Sequence, residues 1–344
     1  MHIVFTSSKT FVRQLLVASG SAVYACRGGG ANPLVVHVLD CGITEADWAD
    51  YESRIKALAA RVKVEVDVVR HVIDMAIFKD LPAWHGSKAL WTRILVPDIL
   101  PDVDRCVFSD CDMLFVANPE EMLESLNDSN VYLAGHQSGF PRDESFPGAV
   151  WCRKNNLPFN PAVESCAGLL SMNLAALRVG HFVEKCLDFA AHHLDVPLAD
   201  ETTLNCVCFE HRALLPEGWG LYPWECHSLA GCIKSIHYVG GLPWKDKYDS
   251  YLPVISLKLS KKENALWHDF ETKILGVSPS IAAVPSLRLR VLASAMVFCE
   301  RMANLFGIKI GQARMQRIIA AYDGHSTSLA TARQELFGDI ERWR

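Results

Sequence analysis

No run of uncharged apolar residues in this chain approaches the ~20 needed to cross a bilayer as a helix, although half of its 344 residues are hydrophobic. The first residues, Met1-His2-Ile3-Val4-Phe5, lack the charged n-region and long apolar segment of a secretory signal. A cytoplasmic setting is therefore expected. The twelve cysteines include no CxxC pair, which argues against a structural zinc site. Several lie inside apolar runs and read as small core residues of a protein kept in a reducing compartment. There is no surplus of positive charge: 34 Lys and Arg stand against 39 Asp and Glu, a net charge of −5. Nucleic acid is not expected as a partner. Internal repeats and low-complexity segments are also missing.

What is present is a regular alternation of strand and helix signals. His2–Phe5 reads as a strand, Thr10–Tyr24 as a helix, and Pro33–Leu39 as a continuous apolar strand. Thr44-Glu45-Ala46-Asp47 has capping-box-like spacing and opens a helix running to about Arg61. Val62, Val64, Val66 and Val68 alternate with polar residues as a strand does. Ser87–Ile99 reads as a helix, and Arg105–Ser109 as the next strand. This order predicts an α/β fold with a mainly parallel sheet covered by helices on both faces. Beyond it, Val131–Gly135, Gly168–Asn173 and Ile233–Tyr238 read as strands, and Leu174–His192 and Asp200–Glu210 as helices. Pro216–Ala230 reads as a structured loop.

The strand Arg105–Ser109 runs into Asp110-Cys111-Asp112. A buried strand ending this way releases two carboxylates at its C-terminal edge, where open α/β sheets bind ligands. Like charges so placed call for a cation, and a hard divalent metal carrying a phosphate suits them. Such a pair has two chemical uses: gripping a nucleotide diphosphate through a metal, or acting as the nucleophile and acid of a haloacid-dehalogenase-like phosphatase. Leu114 stands where the phosphatase pattern wants Thr or Val, and the late Gly338-Asp339-Ile340-Glu341 makes a poor second acidic pair. His237-Tyr238-Val239-Gly240-Gly241 is a second constellation. A histidine at a strand end can complete a metal site, and glycines let backbone approach a phosphate. Lys245 offers a cation for phosphate oxygens. Asp200 and Glu201 open a helix, where carboxylates suit the dipole and could also face a sugar. Ala167 and Gly168 would leave space for that sugar beneath the sheet.

Taken in order, these segments resemble glycosyltransferase family 8, especially its bacterial lipopolysaccharide galactosyl- and glucosyltransferases, over roughly Met1–Lys247. His2–Phe5 and Val36–Ile43 resemble the family's first two nucleotide-binding strands. Leu90-Trp91-Thr92-Arg93-Ile94 resembles the helix whose arginine meets the donor, and Phe108–Asp112 its metal-binding DxD. Ala167–Leu174, Asp200–Asn205 and Ile236–Gly240 are similar to its NxGxLLxNL, DQDxLN and HYxG segments. The resemblance implies a GT-A-type nucleotide-diphospho-sugar transferase fold with a C-terminal helical tail. It implies retaining transfer of a hexose from a UDP-sugar to a glycan or lipid-linked saccharide, dependent on Mn²⁺ or Mg²⁺. Asp110, Asp112 and His237 would be the metal ligands. Phe11, Arg93, Gly240 and Lys245 would contact the donor, with Phe11 against the base. Asp200 would bind sugar hydroxyls, and Glu201 would lie near the anomeric carbon. The chain departs from the pattern where Cys166 replaces a common Asn, Glu201 a common Gln, and Leu242 the usual Lys before Pro243-Trp244. The loop Ser7-Ser8-Lys9-Thr10 after the first strand, which lacks the family's acidic residues, and the altered lysine position keep a non-catalytic sugar-nucleotide-binding protein in view beside the transferase and the phosphatase.

Near residue 260 the character changes, and the expected division is a catalytic domain of residues 1–260 and a helical basic region of 261–344. Between Val284 and Tyr322 six cations (Arg288, Arg290, Arg301, Lys309, Arg314 and Arg317) stand against Glu300 alone, interleaved with Leu, Val, Met and Phe. Residues 284–322 thus read as an interfacial element for an anionic membrane surface, or as a contact with the catalytic domain or a second copy.

Overall fold

Period-two alternation divides the strands of this protein between two cores. The structure is a computed structural model that describes residues 1–28, 33–84, 86–137, 143–227, 231–239, 242–245, 247–248, 251–305 and 328–338. Its strands are β1 (His2–Ser7), β2 (Leu34–Asp40), β3 (Val66–Val72), β4 (Arg105–Ser109), β5 (Met113–Phe115), β6 (Leu133–His136), β7 (Cys166–Asn173), β8 (Arg212–Leu214) and β9 (Ser235–His237). The α-helices are α1 (Val12–Ala25), α2 (Glu45–Val62), α3 (Val96–Ile99), α4 (Pro147–Lys154), α5 (Leu174–Val179), α6 (Phe182–His192), α7 (Asp200–Val207), α8 (Tyr251–Leu259), α9 (Lys261–Asp269), α10 (Leu287–Leu305) and α11 (Ser328–Phe337).

Seven strands form one sheet in the order β3-β2-β1-β4-β7-β6-β8, and β5 pairs with β9 in a separate ribbon. The first four strands in that order are parallel. β7 runs antiparallel to both β4 and β6. The expected mixed, mainly parallel sheet is therefore present. Ile3, Phe5, Val36, Val38 and Val107 point to α1 and α2, meeting Leu15, Val17, Ile55 and Leu58 in the first core. Val4, Leu39, Phe108, Leu170 and Met172 point to the other face, where Trp91, Ile94, Leu177 and Phe182 cover them. Burying each such side chain contributes on the order of 1.5–3 kcal/mol.

Local signals operate as read. The Thr44 hydroxyl caps α2 by accepting the Asp47 N–H at 3.2 Å, and Lys63 ends the helix in the left-handed region at φ 58°. Two expectations shift. The helix expected over Leu174–His192 is broken between α5 and α6 at Gly180-His181, where His181 adopts φ 53°; glycine is a weak helix former. The helix expected over Ser87–Ile99 is instead a 3₁₀ stretch, Ala89–Leu95, leading into α3.

The division at 260/261 marks a change of sequence character, not of core. Leu266 and Trp267 of α9, Phe270, Ile274, and Leu329, Ala332 and Leu336 of α11 all belong to the first core. α10 buries Ala293 and Val297 against Tyr222, Trp224, Val254 and Ile255. Its other face exposes Leu287, Val291, Phe298 and Met302. Residues 306–322 of the basic stretch lie outside the described residues. Among the described residues no helix is long and apolar enough to cross a membrane.

Candidate metal and sugar-nucleotide site

Two aspartates one residue apart in sequence meet a histidine 125 positions away through a short ribbon. β4 delivers Asp110 at its C-terminal end, where the Asp110 N–H donates to the Gly168 carbonyl of β7 at 2.8 Å. The chain turns at once into β5, which pairs with β9 so that Met113 opposes His237. The Tyr238 N–H donates to the Asp112 carbonyl at 2.7 Å and extends this pairing. Cys111, between the aspartates, points into the core and is buried. One ligand atom each from Asp110, Asp112 and His237 lie within 4.8 Å of one another.

His237 Nε2 approaches Asp112 Oδ1 to 3.1 Å. Yet this oxygen is buried without a hydrogen bond. A polar atom left so inside a protein costs about 1–3 kcal/mol, and here it stands close to a ligand atom of Asp110 and of His237, as ligands around a cation do. Carboxylate and imidazole donors suit Mn²⁺ or Mg²⁺. Gly168 supplies the room. A Cβ there would lie 2.5 Å from His237 Cε1 and 3.0 Å from Asp110 Oδ2. The space expected at this glycine for a sugar is thus taken by the histidine ring and the first aspartate.

Arg93 is the electrostatic hub. It is 5% exposed, and burying a guanidinium costs several kcal/mol unless it is paired. Its Nη2 donates to Asp110 Oδ1 at 2.7 Å, its Nε lies 2.9 Å from Asp200 Oδ2, and its Nη1 donates to the Ala167 carbonyl. The Nε–H itself donates to the Leu90 carbonyl at 3.0 Å, which leaves Asp200 Oδ2 without a hydrogen bond. Arg93 therefore spends most of its donors inside the protein, joining the metal-ligand aspartate to Asp200. Asp110, Asp112, Asp200 and Glu201 all interact electrostatically with this single guanidinium. Positive charge is in short supply. Burial raises the Asp110 carboxyl above its ordinary value despite Arg93, and the Asp112 charge adds to the rise. Burial likewise pushes Asp200 up to about 7 against the pull of Arg93. Burial acts to lower His237, but the Asp112 charge and the close contacts with Asp112 and Cys166 together outweigh it and raise the ring well above the ordinary histidine value. Asp112 is lowered: burial opposes this, and the close His237 charge, with Asp112's own backbone N–H and the Arg93 charge, overcomes it. A dication at this point would supply the missing charge.

Asp200 and Glu201 are presented by a tight bend. Leu198 and Ala199 both take positive φ, 57° and 46°, a strained conformation for residues other than glycine that recurs at functional sites. Glu201 Oε2 then accepts the Ala167 N–H at 3.4 Å. Phe11 ends the 3₁₀ turn after β1 and is 44% exposed. Lys245 is half-buried after the Leu242–Trp244 turn, and its carbonyl accepts the Ala283 N–H at 2.7 Å. Gly240 lies outside the described residues. Sequence reading missed the β5–β9 pairing, although the apolar Met113-Leu114-Phe115 after the aspartates was its signal. It also missed Tyr222, whose O–H donates to Cys166 Sγ at 3.8 Å and whose ring stands edge-on to His237 at 5.4 Å. A cavity of about 770 Å³ lined by Ala25, Val62, Ala117, Ile233 and Ala332 contains none of the expected site residues.

The sequence profile of glycosyl transferase family 8 matches residues 2–248. No curated protein matches the chain. Among solved structures it is similar to galactosyltransferase LgtC in complex with donor and acceptor sugar analogs, with a TM-score of 0.57 and 19% identity over 71% of this chain and 89% of that one. It is similar to mouse xyloside xylosyltransferase 1, with a TM-score of 0.52 and 15% identity over 70% of this chain and 98% of that one. It also resembles the glycosyltransferase GlyE of Streptococcus pneumoniae, with a TM-score of 0.51 and 16% identity over 82% of this chain and 66% of that one.

Proposed function

The chain belongs to glycosyl transferase family 8 and is a glycosyltransferase of GT-A fold; from that premise we propose that it moves a hexose from a UDP-sugar to a glycan or lipid-linked saccharide, as in lipopolysaccharide biosynthesis, with retention at the anomeric carbon and dependence on Mn²⁺ or Mg²⁺. The observation that carries this reading is the convergence of Asp110, Asp112 and His237 in a site short of positive charge. These three residues would hold the metal. Bound there, it would supply Lewis acidity toward the diphosphate leaving group. Arg93 keeps Asp110 and Asp200 apart and in place. Asp200, held against Arg93, would bind sugar hydroxyls. Glu201, tied to the Ala167 N–H, stands as the carboxylate nearest the reacting carbon, either stabilising positive charge there or acting as nucleophile. Phe11 packs on the base, and Gly240 and Lys245 meet the phosphates. Incubation with UDP-glucose, UDP-galactose or UDP-N-acetylglucosamine tests the reading without an acceptor. Slow release of UDP and free sugar is expected with Mn²⁺ and not with a chelator. UDP binding with no turnover of any donor would make the protein a non-catalytic binder. Release of inorganic phosphate from a phosphosugar would make it a phosphatase.

The exposed side of α10 supports a membrane-surface location on the cytoplasmic side. Leu287, Val291, Phe298 and Met302 are exposed along one face, Arg288, Arg290 and Arg301 are exposed beside them, and Glu300 is buried. The exposed charge of this helix is thus entirely positive, which suits anionic headgroups. A lipid-linked acceptor would make that location useful. Full-length protein is expected to sediment with anionic liposomes, less so at high salt, and Val291→Asp with Phe298→Asp is expected to leave it in solution. Equal sedimentation of the double variant would assign the face to protein contacts.

A further inference from the structure

Away from the metal ligands, two thiols face each other across a helix pair. Cys152 lies on α4 and Cys206 on α7, with the sulfurs 3.7 Å apart. Both belong to a small apolar cluster with Trp151, Val196, Phe159 and Phe189. Cys152 is 1% exposed, whereas Cys206 is partly open to solvent. A disulfide requires about 2.05 Å between sulfurs, so closure asks for roughly 1.6 Å of approach. That lies within reach of small helix shifts. The sequence offered no hint of the pair, since 54 residues separate its members.

We propose that Cys152 and Cys206 form a reversible disulfide on exposure to a low-molecular-weight disulfide, and that its closure slows the enzyme by drawing α7 toward α4. Cys206, the accessible thiol, exchanges first: its sulfur bonds to one sulfur of the reagent, whose S–S bond breaks, and the other half leaves as a thiol with the Cys206 proton. Cys152 then attacks the Cys206 sulfur and expels the second half of the reagent, which takes the Cys152 proton. Two cysteine thiols are oxidised and one small disulfide is reduced to two thiols. The geometry suits Cys152 as the resolving group, because its sulfur already lies 3.7 Å from Cys206 Sγ.

The link to the active site runs through the residue before Cys206. Asn205 Nδ2 donates to the Ser165 carbonyl and to the Glu201 carbonyl, each at 2.8 Å, and its Oδ1 accepts the Ser165 N–H at 3.2 Å. This clamp joins α7 to the start of β7, beside the Ala167 N–H that meets Glu201. Moving Cys206 toward α4 therefore loads the clamp that sets Asp200 and Glu201. A misplacement of 1 Å in an active site can cost ~100-fold, and a partial shift is expected to cost on the order of tenfold.

The test is oxidation of the full-length protein with glutathione disulfide, followed by peptide mapping without reduction. A 152–206 linked peptide that dithiothreitol removes is expected, and Cys152→Ala should instead trap glutathione on Cys206. Absence of that linkage, or linkage to other cysteines only, overturns the proposal. The rate effect rests on the UDP-hexose reading and is measured separately: hydrolysis should fall on oxidation, recover with dithiothreitol, and stay unchanged in Cys206→Ala once its thermal melt shows a folded protein. An equal fall in Cys206→Ala, or no fall in the linked wild type, overturns the regulatory claim. If the reduced protein turns over no donor, the functional reading fails, while the linked peptide still decides the disulfide.

Discussion

Asp110, Asp112 and His237 form one cluster of ionisable side chains, between the end of β4 and the β5–β9 ribbon, and His2, His37 and His71 form another on the sheet itself, built in the opposite way. The three histidines lie across β1, β2 and β3 in a line: His2 Nδ1 is 3.0 Å from His37 Nε2, and His37 Nδ1 is 3.0 Å from His71 Nε2. Neutral imidazoles satisfy the two contacts of this chain, since the middle ring His37 donates on one side and accepts on the other. The ring at the centre of the ladder therefore has both nitrogens paired without a cation. The Asp110 cluster converges on a point, leaves the ligand oxygen Asp112 Oδ1 buried without a hydrogen bond, and has more negative charge than Arg93 can balance. Convergence and unpaid charge, more than the number of ionisable groups, separate a site from a structural network.

The largest expected effect tests the convergent cluster. Asp112→Asn keeps the shape and removes the anionic donor, so metal-dependent turnover should fall by more than the ~10–100-fold typical of losing an outer-shell partner. The thermal melt should barely move. Near-normal turnover at limiting Mn²⁺ would erase the distinction between the two clusters.

Gly168→Ala sharpens the comparison without touching a ligand. The new Cβ collides with the His237 ring at 2.5 Å, and overpacking of this kind costs about 1–3 kcal/mol. The ring should move off the convergence point and weaken Mn²⁺ affinity about 10–100-fold, read by calorimetry. Unchanged affinity would mean that the ring position is not decisive.

The smallest effect concerns the ladder. Burial first, then the charges His71 and His2 would carry, lower the His37 pKa to about 3, while the unfolded chain keeps the ordinary value of 6.5. The folded ring is thus neutral where the unfolded one takes a proton. The stability this represents is intact above pH 6.5 and is lost as pH falls from there toward 3. One such proton corresponds to about 1.4 kcal/mol per pH unit. His2 and His71 are lowered by burial in the same direction. His37→Asn should lower stability at pH 8 through the lost ladder bonds and flatten the decline between pH 6.5 and 5 in denaturant melts. An undiminished slope would place the acid sensitivity elsewhere.

Several parts of this architecture were legible before any coordinates. The apolar runs Ile3–Phe5, Pro33–Leu39 and Arg105–Ser109, each followed by polar residues, carry strand period and strand ends in the local sequence, and parallel pairing with intervening helices follows from chain connectivity. Asp110 and Asp112 could be placed at a strand exit for the same reason. Other features had no local signature. β5 and β9 are three residues each, too short to show a period, and their pairing depends on contacts across more than a hundred residues. The break at Gly180-His181 and the left-handed Leu198-Ala199 bend express tertiary packing overriding local preference.

Sequence alone thus determined the layered α/β frame, the exit of two carboxylates at its ligand-binding edge, and the resemblance to the family pattern at His237, Arg93 and Asp200, from which Glu201 departs. Only the tertiary structure decided that Gly168 makes room for His237 and not for a sugar, that Arg93 is committed to Asp110 and Asp200, and that Cys152 faces Cys206. The physical reason is range. Strand period, caps and turns are set by neighbours a few residues away, whereas convergence of ligand atoms, scarcity of counter-charge and contact between two thiols are properties of separate segments brought together by packing.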